Sequence, residues 1–550
     1  MKIVLDIETS SRHDTIWLVV TRDIETNEVK VWKAANGLQE YLASCDLIIM
    51  HNGINFDSQV LKETWKVTMK LSQVCDTLVL SRLLNPSLEG GHSLEAWGQR
   101  LGFPKGDFSD WDSGWSQEME DYCIQDTLVT AKLYSHLVSE LKQQEFSPKS
   151  QELEHEVQAI ITKQERAGFK LDEVNALQLL AELKAKLDSI QVEMQRIFPP
   201  KITSGRTHKT SGKPLRDIVE PFNPGSRKQI AERLIEKGWK PTKHTEKGSV
   251  IVDETTLEGI DIPEAKAIAE YLMLQKRIAQ VESWLEAMEA DGRVHGKVIT
   301  NGAVTGRMTH HSPNMAQVPN SSAVYGPECR ALWTVEKGNK LVGIDASGLE
   351  LRMLAHYMSD DDYTNEVVSG DIHTTNQKAA GLETRNQAKT FIYAFLYGAG
   401  SSKIGKIVGG SAKEGQRLID SFLRNTPKLA KLREKVSRVY AKKGTLPGLD
   451  GRQLLVRSEH SAVNTLLQGA GAIVMKQAVV LLYKKLVKAN IWHEFKANVH
   501  DEWQIECKEA DAEKVGQLGV ESIEEAGKIL NMRCPLTGEY KVGNNWKETH

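Results

Sequence analysis

The sequence predicts a multidomain α/β protein, and three observations point there. Its 550 residues are enough for several domains at about 150 residues each. Apolar, β-branched runs alternate with stretches of helical periodicity, the signature of mixed α/β architecture. Some of those runs end on acids, where α/β folds place their ligands. At 40% hydrophobic and 26% charged residues, the chain can bury several cores, which excludes disorder, collagen and coiled coil.

Element by element, Lys2-Ile-Val-Leu-Asp-Ile-Glu8 reads as a strand. A short helix near Leu38–Ala43 follows, then a second strand over Asp46–Met50. Helical periodicity dominates from Ser116 to Leu141, and the α/β domain closes near Phe146-Ser-Pro148. From Glu152 to Arg196 the apolar spacing is helical, stopped by Pro199-Pro200. Residues 201–226 are basic and rich in Gly, Ser, Thr and Pro, which predicts a loop. Helices resume at Ser226–Gly238 and Pro263–Glu289, and a mixed α/β region runs on from Gly302. No apolar run approaches the roughly 18 residues of a membrane span, so none is expected. Asp6 interrupts the apolar stretch a signal peptide needs, so no secretion is expected either. The six cysteines are scattered singly; reduced thiols are expected and a zinc site is not.

Charge is unevenly spread. Residues 1–145 hold 13 Lys/Arg against 22 Asp/Glu, whereas residues 201–247 hold 12 against 5. A basic stretch beside an acidic domain suggests a polyanion partner handled by a protein that also holds metals with carboxylates. In the acidic domain, Asp6 and Glu8 are two apart on a strand, so both side chains leave one face. Burying two unpaired acids there is costly, and a divalent metal removes that cost. Asp57 follows the second strand, and Tyr122 and Asp126 share one face of a helix by their spacing of four. Four carboxylates and a tyrosine suit two-metal phosphodiester hydrolysis. In this order they resemble the tyrosine-bearing subclass of the DEDD family of 3′–5′ exonucleases.

In the second half, Leu341-Val-Gly-Ile-Asp345 is a strand ending on an acid, followed by a helix over Leu349–His356. Ala497-Asn-Val-His-Asp501-Glu502-Trp-Gln-Ile505 reads as strand, tight turn and strand with acids at the tip. Asp345 and Asp501 are suited to sharing a pair of Mg²⁺ ions, which favour oxygen ligands. Between them, Thr384 and Gln387 predict a capping box that starts a helix. Arg385, Lys389, Tyr393 and Tyr397 recur every four residues along it, and an anion such as a triphosphate near that N-terminus would offset the repulsion of the two cations.

Thr305-Gly-Arg307, Ser312-Pro-Asn314-Met-Ala-Gln317, Asp345-Ala-Ser-Gly-Leu-Glu-Leu-Arg352, Asp371-Ile-His373, the Arg385–Gly398 helix, Gly448-Leu-Asp-Gly-Arg452, Asn464-Thr-Leu-Leu-Gln468 and Val499-His-Asp-Glu502 strongly resemble family A DNA polymerases. The motifs fall in that family's order, and their wording is most similar to the bacteriophage replicative subgroup. The resemblance implies an RNase H-like 3′–5′ exonuclease domain over 1–147 with Asp6, Glu8, Asp57, Tyr122 and Asp126 as its site. A right-hand polymerase would follow, with a helical thumb over 148–295, a palm over 296–350 and 455–550, and fingers over 351–454. No 5′-nuclease domain is expected ahead of them. Asp345 and Asp501, with the carbonyl of Ala346, would hold two Mg²⁺ ions, Mn²⁺ being an alternative. His373, Arg385 and Lys389 would bind the incoming triphosphate, and Tyr397 would stack near the templating base. Tyr393 and Glu350 would lie under the sugar, joined by a hydrogen bond from the Tyr393 phenol. Arg307, Gln317, Gln468, His500 and Arg452 would contact primer–template DNA.

The implied substrates are dNTPs, primer–template DNA and, in the exonuclease, single-stranded 3′ ends. The implied setting is a monomer in the host bacterial cytoplasm, with a phage helicase–primase as a candidate partner. Some phage relatives recruit host thioredoxin through a long thumb insertion; the corresponding stretch here, Lys201–Glu220, is short, so that clamp is not expected. Ala394 stands where relatives usually have glycine, which alters packing under the sugar. The competing readings are a single-subunit RNA polymerase, against which Glu350 and the fused exonuclease argue, and a catalytically dead replication scaffold, against which the full set of acids argues.

Overall fold

The computed structural model describes residues 1–254 and 256–550. The N-terminal sheet runs Val29–Trp32, Ile16–Asp23, Lys2–Thr9, Leu47–Met50, Val74–Asp76 in spatial order. Its first three strands are antiparallel and the rest join in parallel. The expected second strand is therefore the fourth: Ile16–Asp23 and Val29–Trp32 precede it, and the sequence reading missed both. Ile16–Val20 is apolar without alternation, because six of the eight positions of Ile16–Asp23 are buried, on both faces of the strand (Ile16, Leu18, Val19, Val20, Thr21 and Arg22). The helix Gln117–Gln143, capped by Ser116, buries Met119, Cys123, Val129 and Leu133 against this sheet and the helices beside it.

The helical stretch expected from Glu152 to Arg196 is broken. Helix Pro148–Ala167 ends at Gly168, whose φ of +68° is the left-handed region open to glycine. Phe169–Leu171 then forms the centre of a small sheet between Trp333–Thr334 and Arg293–Val294. Phe169 and Leu171 are buried and Lys170 is not, a period of two too short to stand out within helical spacing. Helices Glu173–Ile197 and Pro263–Ala287 pack along each other through Leu179, Leu183, Leu274, Ile278 and Val281. At their far end, Phe198, Phe222, Ile230 and Leu234 build a separate small core. The basic segment 201–226, expected to be loop, includes a two-stranded hairpin, Lys201–Thr203 with Ile218–Glu220.

The C-terminal half is organised on an antiparallel sheet ordered His493–Val499, Glu502–Lys508, Asn339–Ala346, Gly538–Gly543. Helices Ala462–Lys488 and Ala512–Ile529 pack together and against this layer, within the largest core. The stretch Glu459–Lys488 is long and apolar enough to cross a bilayer, but 78% of its apolar window is buried inside the protein. Helices from Leu349 to Lys443 form a third mass.

Helix Pro148–Ala167 touches both halves. His155 Nε2 accepts from the backbone N–H of Asp76 at 2.9 Å, and Thr162 donates to Asn55 at 3.0 Å. On the other side Glu154, fully buried, takes both Arg452 and Lys476 at 2.6 Å. Arg452, 2% exposed, also forks onto Asp450 at 2.7 Å. The assignment of Arg452 to DNA contact is thereby corrected: its guanidinium is enclosed by two carboxylates and has no face for a phosphate. Glu154→Gln would leave Lys476 without its counter-charge and Arg452 with Asp450 alone. It is expected to cost about 3–5 kcal/mol, read as a clear fall in the temperature of the first melting transition.

Candidate active sites

Two acid clusters stand out, one on each sheet. In the N-terminal sheet the register sets Asp6 opposite Val20 and Glu8 opposite Leu18, so both carboxylates face helix Gln117–Gln143. Glu8, Asp57 and Asp126 are 6%, 3% and 3% exposed. Burial first, then mutual repulsion, lifts Asp6, Glu8 and Asp57 above the carboxylate range. Burial also lifts Asp126, against the pull of Lys105. Asp126 Oδ1 is buried with no hydrogen-bond partner. Tyr122 is half-buried one turn before it. The structure thus brings together the five residues Asp6, Glu8, Asp57, Tyr122 and Asp126. An oxygen-only set with surplus negative charge and an orphaned oxygen fits a hard divalent cation.

Two neighbours of this cluster escaped the sequence reading. Cys123 Sγ lies 3.5 Å from Asp6, and Lys105 forms a 3.0 Å ion pair with Asp126. Cys123 follows Tyr122 in the same helix, so its position was accessible; Lys105 sits in an irregular segment and no spacing betrays it.

In the second cluster, Asp345 ends the strand Asn339–Ala346 in register with Glu502. Ala346 N–H donates to the Asp501 carbonyl at 3.0 Å, which fixes the hairpin tip against the strand end. Residues 499 and 502 pair, so His500 and Asp501 form the two-residue turn, with His500 at φ +55°. A side chain held in that region costs about 1–2 kcal/mol, and such strain gathers at functional sites. Burial, then Glu502 and Asp501, pushes Asp345 up to about 8; burial likewise raises Asp501.

The groups whose ligand atoms lie within 4.8 Å of Asp345 are Glu502 and His550. Glu502 is 4% exposed and accepts from Trp546 Nε1 at 2.5 Å and Gln504 Nε2 at 2.7 Å. His550 Nε2 is 3.3 Å from Glu502 and 3.5 Å from Asp345, while its Nδ1 meets Arg330 at 2.7 Å. Sequence reasoning left Glu502 undecided and missed His550, which is 205 positions from Asp345 and belongs to no motif. The carboxylate oxygens gathered here fit a hard cation as the first cluster does.

A cavity of about 480 Å³ opens beside the hairpin, lined among others by Arg307, Glu350, Tyr393, Tyr397, His500 and Asp501. Glu350 accepts from Arg307 at 3.2 Å and from the phenol of Tyr397. The expected hydrogen bond from Tyr393 to Glu350 is corrected: Tyr397, one turn on, makes it. Among the described residues the Tyr393 hydroxyl has no side-chain hydrogen-bond partner. The helix Arg385–Leu396 starts with the expected capping box, Thr384 and Gln387 exchanging bonds of 3.1 Å. Arg385 pairs with Asp371 at 2.8 Å, so a carboxylate supplies the anion expected near this N-terminus. His373, on the helix that Asp371 caps, keeps a buried Nδ1 without a partner; burial, then Arg385 and Lys389, pulls its pKa down. On the other side of the hairpin, a groove of about 530 Å³ is lined by Gln317, Arg330, His500, Asp501 and His550, among others. Gln468 donates to Asn464 at 2.8 Å on helix Ala462–Lys488.

An acid-ended sheet facing a helix of cations and tyrosines, preceded by a second acid cluster on its own sheet, defines a nucleotidyltransferase joined to a nuclease. The family description "DNA polymerase family A" matches residues 203–548, and "3'-5' exonuclease" matches residues 3–142. The DNA-directed DNA polymerase of Escherichia phage T7 is 35% identical over an alignment 710 positions long, covering 100% of both chains. That of Enterobacteria phage T3 is 36% identical over 654, covering 92% of each. The solved polymerase domain of Pol1 from M. smegmatis, in complex with DNA primer-template and dNTP, superposes with a TM-score of 0.82 at 18% identity. It covers 100% of this chain and 95% of its own. The chain belongs to DNA polymerase family A: it is a DNA-directed DNA polymerase with a 3′–5′ exonuclease domain. Both domain types are metal-dependent. Neither the RNA polymerase reading nor the inactive scaffold is supported.

Proposed function

We propose that this chain replicates bacteriophage DNA in the host bacterial cytoplasm, extending primer 3′ ends with dNTPs and trimming mispaired ends. The observation that carries the reading is Asp501 at the hairpin tip, beside the paired acids Asp345 and Glu502, lining one cavity with Glu350 and its partners Arg307 and Tyr397. The thumb is assigned to 148–295, the palm to 296–350 and 455–550, the fingers to 351–454 and the exonuclease to 1–147.

Asp345 and Asp501, with the Ala346 carbonyl, would hold two Mg²⁺ ions, or Mn²⁺ in their place, and Asp6, Glu8, Asp57 and Asp126 a second pair. When bound, such ions activate the attacking oxygen and stabilise the leaving one. The chain's own side chains position the reactants. His373, Arg385 and Lys389 bind triphosphate oxygens, for which Arg385 exchanges Asp371; Lys389 lies by the departing pyrophosphate. Charge and placement supply most of the catalysis in such transfers. Tyr397 stacks near the templating base, and Arg307, Gln317, Gln468 and His500 hold the duplex. Primer extension on matched and mismatched ends, with and without dNTPs and with EDTA, tests both activities together. No extension, or extension with rNTPs as readily as dNTPs, would overturn the reading.

Sugar selection falls to Glu350, whose carboxylate Arg307 and Tyr397 fix beneath the sugar. Tyr393 leaves its phenol free to take the hydrogen-bonding place of the 3′-hydroxyl that a ddNTP lacks, so that without it the nucleotide must supply that hydroxyl itself. Tyr393→Phe is expected to keep dNTP incorporation within a few fold and to raise the preference for dNTPs over ddNTPs by about a hundredfold or more. Such a factor exceeds one neutral hydrogen bond, so repositioning of the sugar contributes too. Competitive single-nucleotide incorporation in an exonuclease-dead background measures it.

The hairpin segment 201–220 carries Arg206, Lys209 and Lys213, all exposed, and is assigned to the duplex backbone. Neutralising the three together is expected to reduce the salt dependence of DNA binding by about 0.9 per lost phosphate contact. An unchanged slope would place the hairpin away from DNA.

A further inference from the structure

Among the described residues one cation enters the exonuclease acids. Lys105 leaves the irregular segment 102–116, and its ammonium lies 3.0 Å from Asp126 Oδ2 and 4.9 Å from the centre of the Tyr122 ring. Its side chain is 26% exposed, so it remains partly open to solvent. Burial alone would lower the pKa of Lys105; the charge of Asp126 and hydrogen bonds to Tyr122 and Asp126 outweigh this and hold it charged.

The segment that carries Lys105 is a built wall. Ser11 donates to Asp112 through its N–H at 2.9 Å and its hydroxyl at 2.7 Å. Trp17 Nε1 donates to the Trp111 carbonyl at 2.8 Å. Phe108 and Trp111 pack against each other and on Tyr122, with ring centres 4.7, 5.9 and 5.6 Å apart. Asp126 therefore has a cation delivered to it by a fixed element. One ammonium does not balance four carboxylates, however. A divalent ion held by the same acids would repel it from Asp126. A flexible four-carbon stem lets the ammonium move without moving the wall.

We propose that Lys105 is a further catalytic residue of the exonuclease: in the loaded site its ammonium leaves Asp126 and donates to a non-bridging oxygen of the scissile phosphate, beside Tyr122. The proposal rests on the exonuclease reading above. In the reaction, a water oxygen bonds to phosphorus and the bond from phosphorus to the 3′ oxygen breaks. The electron pair goes to that oxygen, which takes up a proton, and the water gives its own proton to solvent. Lys105 keeps its proton throughout and acts by charge, where negative charge is borne on the phosphoryl oxygens. The competing role is structural: Lys105 merely pins Asp126.

The test uses the full-length chain with Lys105→Met and Lys105→Arg, and three measurements. These are kcat and KM for digestion of a single-stranded oligonucleotide, Mn²⁺ binding followed by titration without DNA, and primer extension. Lys105→Met is expected to lower the kcat of digestion about a hundredfold with KM within a few fold. It should bind Mn²⁺ as tightly as the wild type or tighter, because a competing cation is gone, and extend primers normally. Lys105→Arg should recover at least about tenfold of the lost rate. Digestion by Lys105→Met within twofold of wild type overturns the proposal. So does a loss of Mn²⁺ affinity that parallels the loss of digestion, since Lys105 would then be holding Asp126 in place. Digestion that survives the loss of Asp6 and Glu8 in an otherwise unchanged chain would instead overturn the assignment of the site itself.

Discussion

Asp501→Asn is expected to reduce primer extension by about a thousandfold or more, while digestion of single strands proceeds at the wild-type rate. The amide fills the same space at the hairpin tip, and the backbone bond from Ala346 N–H to the Asp501 carbonyl is untouched, so the turn keeps its shape. What disappears is a negative charge beside Asp345, whose own carboxyl is already pushed up by burial and then by Glu502 and Asp501. Weaker repulsion leaves Asp345 easier to ionise, so the loss cannot be charged to Asp345; it reports on metal holding by Asp501. A thousandfold corresponds to about 4 kcal/mol in the barrier. Single-turnover incorporation with rising Mg²⁺ provides the measurement. Extension within tenfold of wild type would make Glu502, which lies closer to Asp345 in register, the working acid.

The complementary experiment removes Asp6 and Glu8 together, both to alanine. Digestion of single strands should fall below detection while extension of matched primers stays within twofold. Each acid cluster is built on its own sheet and draws no side chain from the other, so the activities separate. Two buried, mutually repelling carboxylates also vanish, and the domain should melt no lower than the wild type in EDTA. Continued shortening of primers by the purified double variant would show that the N-terminal acids are not the hydrolytic centre.

Much of this was legible in sequence, and the failures share a cause. The strand at Lys2, the helix Leu38–Ala43, the capping box at Thr384 and the acid-tipped hairpin depend on neighbours within a few residues, which spacing reports. The partner of Glu350 was misassigned because Tyr393 and Tyr397 are four apart on one helix face; periodicity places both there and does not choose between two phenols. Arg452 was misread because its partner Glu154 lies 298 positions away, beyond any local pattern. Lys105 and His550 were invisible for the same reason. The strand Phe169–Leu171 was lost because three residues of alternation between two long helices are too few to outweigh the helical period.

Helix Pro148–Ala167 has one further consequence. It is bolted to the exonuclease through His155 and Thr162 and to the polymerase through the buried Glu154. One helix thus ties the two acid clusters together, and on the proposed function it is the primer that would travel between them. On that reading a terminus would reach the N-terminal acids only after its last pairs have opened, each at about 1.4 kcal/mol of stacking. Proofreading would then be a sorting by duplex fraying: a mismatched or A·T-rich end spends more time unzipped than a matched G·C end and would be trimmed more often.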